Sequence, residues 1–189
     1  MIQTGGPRNG DESEREWIAR AQAGDKAAFG QLVRRYERLL VSVAYHRVLD
    51  LQTAEDVAQE AWVKAWRALP RYTESLGSLR AWLCRIAINV AVDAFRRERP
   101  VQDLDEHVPD EAGDPAGQVE AVAHVQAVRQ AVAQLPAAYR TALVLREYEG
   151  LSYAEIAAAL SIPPGTVMSR LNYARSRLRV LLAEVEQVA

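Results

Sequence analysis

The stretch from Leu151 to Leu182, LSYAEIAAALSIPPGTVMSRLNYARSRLRVLL, constrains the fold more than any other part of the chain. Ser152 has the side chain of an N-cap and Glu155 stands three residues on. At that spacing each side chain satisfies a backbone donor that the first helical turn leaves orphaned, so a helix is predicted to start here. Tyr153, Ile156, Ala157 and Leu160 follow at i, i+3, i+4 and i+7, which gathers the apolar groups on one face that must be covered. Ser161, Ile162 and Pro163 break the pattern, because a residue before proline is pushed out of the α region, and Pro164 suits the first turn of a second helix. In that helix Val167, Leu171, Ala174 and Leu178 fall within roughly 60° of one another at about 100° per residue. Ser169, Asn172, Tyr173 and Ser176 therefore point outward, flanked by Met168, Arg170, Arg175, Arg177 and Arg179.

A short helix, a tight turn and a second helix with an outward polar strip between arginines is the arrangement that enters a DNA major groove, with the arginines anchoring phosphates. An ordinary αα-hairpin with a solvated basic face shares this periodicity. Charge weighs against the plainer reading: from Ser161 to Leu182 there are four arginines and no acid, in a chain of 189 residues whose net charge is −2. Such segregation is the electrostatic footprint of nucleic-acid binding.

The rest of the composition narrows the class. With 49 % apolar and 25 % charged residues the chain is not disordered throughout. Its sole cysteine, Cys84, excludes an internal disulfide and a cysteine-cluster zinc site, fits a reducing compartment, and is read as a small buried hydrophobe. No apolar run reaches the length needed to span a bilayer, and the amino terminus lacks the basic flank and hydrophobic core of an export signal, so a cytoplasmic protein is expected. A sequence pI near 6.0 argues against bulk packaging of nucleic acid, so any DNA contact must come from local patches. His46, His107 and His124 show no metal-ligand spacing and no phosphate-cradling glycine loop is present. No metal, cofactor, small-molecule substrate or catalytic activity is expected.

Taken in order, residues 1–12 are expected to form a disordered tail. Trp17, Ile18 and Ala21 open a helical pattern that Gly24 ends, and Asp25 is placed to cap the next helix, whose core positions run from Ala28 to about Val48. Thr53 is expected to cap a further helix, with Asp56 completing a second capping box. Ala54, Val57, Ala58, Ala61, Trp62, Ala65 and Leu69 would line its buried face and Glu55, Asp56, Gln59 and Glu60 the opposite one. Residues 70–78 (PRYTESLGS) read as a loop, of the kind that carries recognition when rigid helices flank it. Beyond it Leu79, Leu83, Ile86, Ala87 and Val90 form a buried stripe, and Arg85, Asn89, Val92 and Arg96 a separate one, within a second basic patch that includes Arg80, Arg97 and Arg99. Residues 100–118 hold six acids between Asp103 and Asp114 and no lysine or arginine, the composition of a flexible linker. Residues 119–134 and 136–149 read as two more helices, broken at Leu135-Pro136 and ended by Gly150. The expectation is an all-α chain: two helical domains, 13–99 and 119–189, joined by a flexible acidic linker, the second ending in the helix-turn-helix.

With these pieces placed, the chain resembles the extracytoplasmic-function (ECF) sigma factors, the smallest group of the sigma-70 family. Three motifs carry the resemblance: DVAQEAWVKAW at Asp56–Trp66, SLRAWLCRIAINVAVDAFRR at Ser78–Arg97, and LREYEGLSYAEIAAALSIPPGTVMSRLNYARSRLR at Leu145–Arg179. It implies a transcription initiation factor that brings core RNA polymerase to promoters and helps to melt them. Asp56, Gln59 and Glu60 match the polar face that docks on the polymerase. Arg80, Trp82, Arg85, Asn89, Arg96 and Arg97 match the helix working on the minus-ten element, and the loop with Tyr72 and Ser75 matches the one that receives an extruded base, whose unstacking costs a few kcal/mol. Thr166, Ser169, Arg170 and Tyr173, with Arg175 and Arg179 beside them, match the surface that engages the minus-thirty-five element. Met168 and Tyr173 depart from the basic residues frequent at those positions, and Leu79 from a frequent aromatic. The resemblance also implies an anti-sigma factor, often tethered at the inner membrane, as a partner beside core polymerase and promoter DNA. Two other readings use the same residues: a stand-alone helix-turn-helix regulator with a sensing or dimerising first domain, and a helical adaptor that binds only protein. The acidic face beside a second basic patch is what a stand-alone regulator has no use for.

Overall fold

The computed structural model describes residues 9–98 and 119–186, and every regular element among them is helical. Its helices are α1 (Asn9–Gln22), α2 (Lys26–Val48), α3 (Leu51–Ala68), α4 (Leu79–Glu98), α5 (Val119–Ala133), α6 (Ala137–Glu147), α7 (Tyr153–Leu160) and α8 (Pro164–Glu186). Single 3-10 turns at Leu69–Arg71 and Glu74–Leu76 fill the connection between α3 and α4. The 100–118 stretch expected as a linker lies outside the described residues, as do residues 1–8. Helix α1 starts at Asn9, inside the stretch expected to be tail.

Local chemistry accounts for the helix ends. The Asp25 carboxylate accepts from the N–H groups of Ala27 and Ala28, and those bonds hold its carboxyl below the usual range. Helix α3 begins earlier than expected: Asp50 is its N-cap and accepts from the Thr53 N–H, so Thr53 sits on the first turn instead of capping it. Both residues have capping side chains three positions apart, and the carboxylate wins by bonding the donor that Thr53 itself supplies. At α7 both bonds of the predicted capping box form between Ser152 and Glu155, and Ser161 ends the helix in the left-handed region at φ 53°. Helix α8 starts at Pro164.

Helices α2, α3 and α4 bury Leu32, Leu40, Val43, Leu83 and Val90 against a stripe of small residues on α3, where Ala54, Ala61 and Ala65 are fully buried. Small side chains in that stripe let the helix axes approach closely. Helices α5 to α8 close around Leu135, Leu143, Leu145, Leu151, Ile156, Val167, Leu171 and Ala174. The two clusters merge, because α6 lies on α2 and α7 lies on α4. Among the described residues the largest fully buried side chain is Arg140, at 1 % exposure. Its guanidinium donates to the carbonyls of Ala133 and Leu135 in its own half and, through Nε at 2.6 Å, to that of His46 in the other. A buried charge needs such a complete set of partners.

Candidate polymerase and nucleic-acid interfaces

Three faces collect the predicted site residues. On α3, Asp56 and Gln59 are exposed and Glu60 is half-buried, all opposite the alanine stripe. Lys64, one turn on, pairs with Glu60 at 2.9 Å and reaches Asp93 of α4 at 4.0 Å. The face is acidic at its amino-terminal end, with a cation closing its carboxyl-terminal end.

The second face is the connection from Leu69 to Ser78 and the start of α4. Gln22 of α1 donates to the carbonyls of Leu69 (3.1 Å) and Tyr72 (2.8 Å), pinning the entry of the loop. The Tyr72 hydroxyl donates to the Gly77 carbonyl at 3.0 Å, closing the loop on itself, and Gly77 turns the chain at φ 99°, where a side chain would be strained. Ser75 is exposed and its hydroxyl meets that of Thr73 at 2.7 Å. A cavity of about 340 Å³ opens beside this loop, lined by Glu14, Arg15 and Ile18 of α1 together with Tyr72, Glu74, Gly77, Ser78 and Leu79. That is the lower end of the size range of small-ligand pockets, about 300–1,000 Å³. Glu14 accepts from the Tyr36 hydroxyl at 2.6 Å and from Arg35 at 2.9 Å, which keeps a carboxylate at the cavity wall.

The structure separates the residues grouped here by sequence. Tyr72 and Trp82, each 5 % exposed, pack ring on ring at 5.1 Å and support the loop from beneath instead of facing solvent. Arg80 is turned into the contact between the halves: it donates to the Glu149 carbonyl and its guanidinium stands 3.7 Å from the Glu149 carboxylate. Arg85 is half-buried and Asn89 exposed on the outer side of α4, while Arg96 and Arg97 lie on its last turns with side chains outside the described set.

On α8 the predicted outward face forms. Val167, Leu171 and Ala174 are fully buried, and Ser169, Tyr173, Arg175 and Arg179 are exposed, with Thr166 and Arg170 partly so. The Ser169 hydroxyl donates to the Thr166 carbonyl at 3.0 Å, leaving its lone pairs outward as acceptors. Arg175 is not a free phosphate anchor, because its guanidinium pairs with Glu147 of α6 at 2.7 Å. Sequence reasoning missed the roles of Glu147 and Tyr139, two α6 residues that touch the α8 face. They lie 28 and 34 positions from their partners, Arg175 and Tyr173, and no periodicity reports contacts at that range.

Among the described residues no group of three or more metal-ligating side chains occurs, and no helix is long and apolar enough to cross a membrane. Burial pushes the Cys84 thiol up to about 12, so it is an inert core group.

These helices define a two-part all-helical protein whose second part ends in a helix-turn-helix. Residues 32–101 match the family model of sigma-70 region 2 and residues 125–178 that of sigma-70 region 4. The chain is 38 % identical over 184 residues to the RNA polymerase sigma-H factor of Pseudomonas aeruginosa, covering 88 % of this chain and 92 % of that one. To the ECF RNA polymerase sigma-E factor of Escherichia coli it is 35 % identical over 174 residues, covering 85 % and 90 %. Among solved structures it is similar to CnrH in complex with the cytosolic domain of CnrY, with TM-score 0.69, 29 % identity and coverage of 91 % and 98 %. It is also similar to RpoE in complex with the anti-sigma factor NepR from Bartonella quintana, with TM-score 0.64, 26 % identity and coverage of 82 % and 96 %. The chain belongs to the ECF sigma factors of the sigma-70 family. It is a non-enzymatic initiation factor that directs core RNA polymerase to promoters.

Proposed function

We propose a division of that work among the three faces. Asp56, Gln59 and Glu60 on α3 dock on core polymerase. The loop from Tyr72 to Ser78 and the outer side of α4, with Arg80, Arg85, Asn89, Arg96 and Arg97, engage and help to open the minus-ten element, Tyr72 and Trp82 serving as the floor of the loop. Thr166, Ser169, Arg170 and Tyr173 address base edges of the minus-thirty-five element, with Arg179 toward phosphates and Arg175 held beside them by Glu147. The units responsible are 13–99 and 119–189; the two family matches, 32–101 and 125–178, fall largely on these units, the first running two residues into the acidic stretch 100–118. The observation that carries this reading is the α8 face: exposed polar groups stand directly above fully buried Val167, Leu171 and Ala174, so the helix is held rigidly with its reading side out.

The chain works in the cytoplasm, and an anti-sigma factor silences it. Support comes from the fold likeness to RpoE, which was captured with such a partner. The test is run-off transcription by core polymerase reconstituted with the full chain on a genomic fragment library. Tyr173→Ala is expected to keep polymerase binding and change which fragments are transcribed, whereas Arg179→Ala lowers output from all of them alike. An unchanged fragment ranking with Tyr173→Ala removes the base-reading assignment.

A further inference from the structure

Tyr173 is 46 % exposed in the middle of the α8 face, yet its ring is not free. Tyr139, on the first turn of α6, lies against it with ring centroids 4.2 Å apart and planes tilted 33° from parallel, a ring contact closer than the roughly 4.5–7 Å usual for aromatic pairs. Tyr139 is itself half-buried against the core, and its neighbour Arg140 is tied to three carbonyls, so the ring stands on an immobile base. At the other end of the same helix Glu147 holds Arg175 at 2.7 Å. Helix α6 thus grips the outward face of α8 at two points.

We infer that Tyr139 is a positioning residue that sets the sequence preference of the α8 face by fixing the direction of the Tyr173 ring. This rests on the proposed reading of α8 as the helix that addresses the minus-thirty-five element. An exposed helical tyrosine has two main χ1 wells, which aim its hydroxyl at different places. Stacking on Tyr139 favours one of them. The hydroxyl, which both donates and accepts, is then presented at one position along the groove. Without the platform it samples several, and discrimination at that position falls while attraction to phosphates is untouched. The size of an aromatic pair corresponds to a loss of about two- to tenfold in preference.

The experiment uses the full chain assembled with core polymerase and a pool of linear duplexes carrying ten randomised base pairs, captured and sequenced. Tyr173→Ala and Tyr139→Ala are both expected to flatten the preference at the same base-pair position. Tyr139→Phe, which keeps the stacking face, retains the parent preference. If Tyr139→Ala costs folding, Tyr139→Leu replaces it, keeping apolar bulk without a flat face, and the same flattening is expected. A changed ranking for Tyr173→Ala with the parent ranking for Tyr139→Ala or Tyr139→Leu overturns the positioning role and leaves the reading of α8 intact. A parent ranking for Tyr173→Ala overturns that reading, and the positioning role with it.

Discussion

Arg140 and His46 show how single residues bind the halves of this chain together. Replacing Arg140 by leucine strips a charged donor from three carbonyls, that of Leu135 buried and those of His46 and Ala133 partly so, and hydrogen bonds to charged groups are each worth about 1.5–3 kcal/mol. Arg140→Leu is expected to cost at least about 3 kcal/mol in chemical denaturation. Arg140→Lys recovers little of it, since one ammonium lacks the fork that reaches three acceptors at once. His46 lies against Tyr148 of the other half with ring centroids 5.6 Å apart. Burial, with Arg140 and Arg129 adding repulsion, lowers its pKa from 6.5 to about 4. The folded state therefore binds fewer protons than the unfolded one through that range. The stability tied to neutral His46 is complete above about pH 6.5 and is lost as pH falls towards 4, on the order of 2 kcal/mol after allowing for partial exposure. His46→Phe should flatten the stability profile between pH 4.5 and 6.5, and a profile identical to the parent's would show that other groups carry it.

At the scale of elements, α3 and α8 divide a helix between core and partner in the same way. On α3 the buried side is mostly alanine and the outward side acidic, so Glu60→Lys reverses charge on the partner face while giving up the pair with Lys64. Its helical content should stay close to the parent's, because an i,i+4 pair lost and a like-charge pair gained cost about 0.2–0.5 kcal/mol each, while co-purification with core polymerase is lost. Normal co-purification would remove α3 as the docking helix. Elements that announce themselves through short-range chemistry were legible in the sequence: the Ser152–Glu155 box, the Pro164 start and the α8 stripes need only neighbouring residues. The start of α3 was misplaced because Asp50 and Thr53 compete for one cap, a contest that backbone geometry decides. The burial of Tyr72, Trp82 and Arg140 was not legible at all. Their partners are rings and carbonyls brought near by tertiary packing, and His46 stands 94 positions from Arg140. Nor does an apolar stripe name what covers it, so the packing of α6 on α2 and of α7 on α4 left no trace in the periodicity.

Across the whole molecule the halves are clasped by polar groups around a shared apolar contact. Ser42 donates to Glu149 at 2.7 Å, Ser78 donates to Glu155 at 2.8 Å, Arg80 binds Glu149, and a Cβ placed on Gly77 would stand 3.5 Å from that of Ala158. Glu155 serves twice, capping the start of α7 and bolting the loop. Burial alone would raise its carboxyl, but the Ser152 N–H and the Ser78 and Ser152 hydroxyls outweigh that and hold it below the usual range. Glu149→Lys replaces an attraction to Arg80 by a repulsion and removes the Ser42 acceptor. The full chain carrying it is expected to scatter X-rays as a larger particle at moderate salt, and an unchanged radius of gyration would show that the apolar contact suffices.

The occupation of Arg80 by Glu149 also bears on dose. Arg80 is turned into the contact between the halves, so, if on the proposed assignment it must swing out to reach a nucleic acid, the apparent promoter affinity is the intrinsic one scaled by the fraction of molecules in which the Glu149 grip is released. Each tenfold drop in the released fraction raises tenfold the amount of factor needed to half-fill a promoter. The output of a gene under this factor then depends on a carboxylate that touches no DNA, and a ligand that competes for Glu149 would act on every promoter at once.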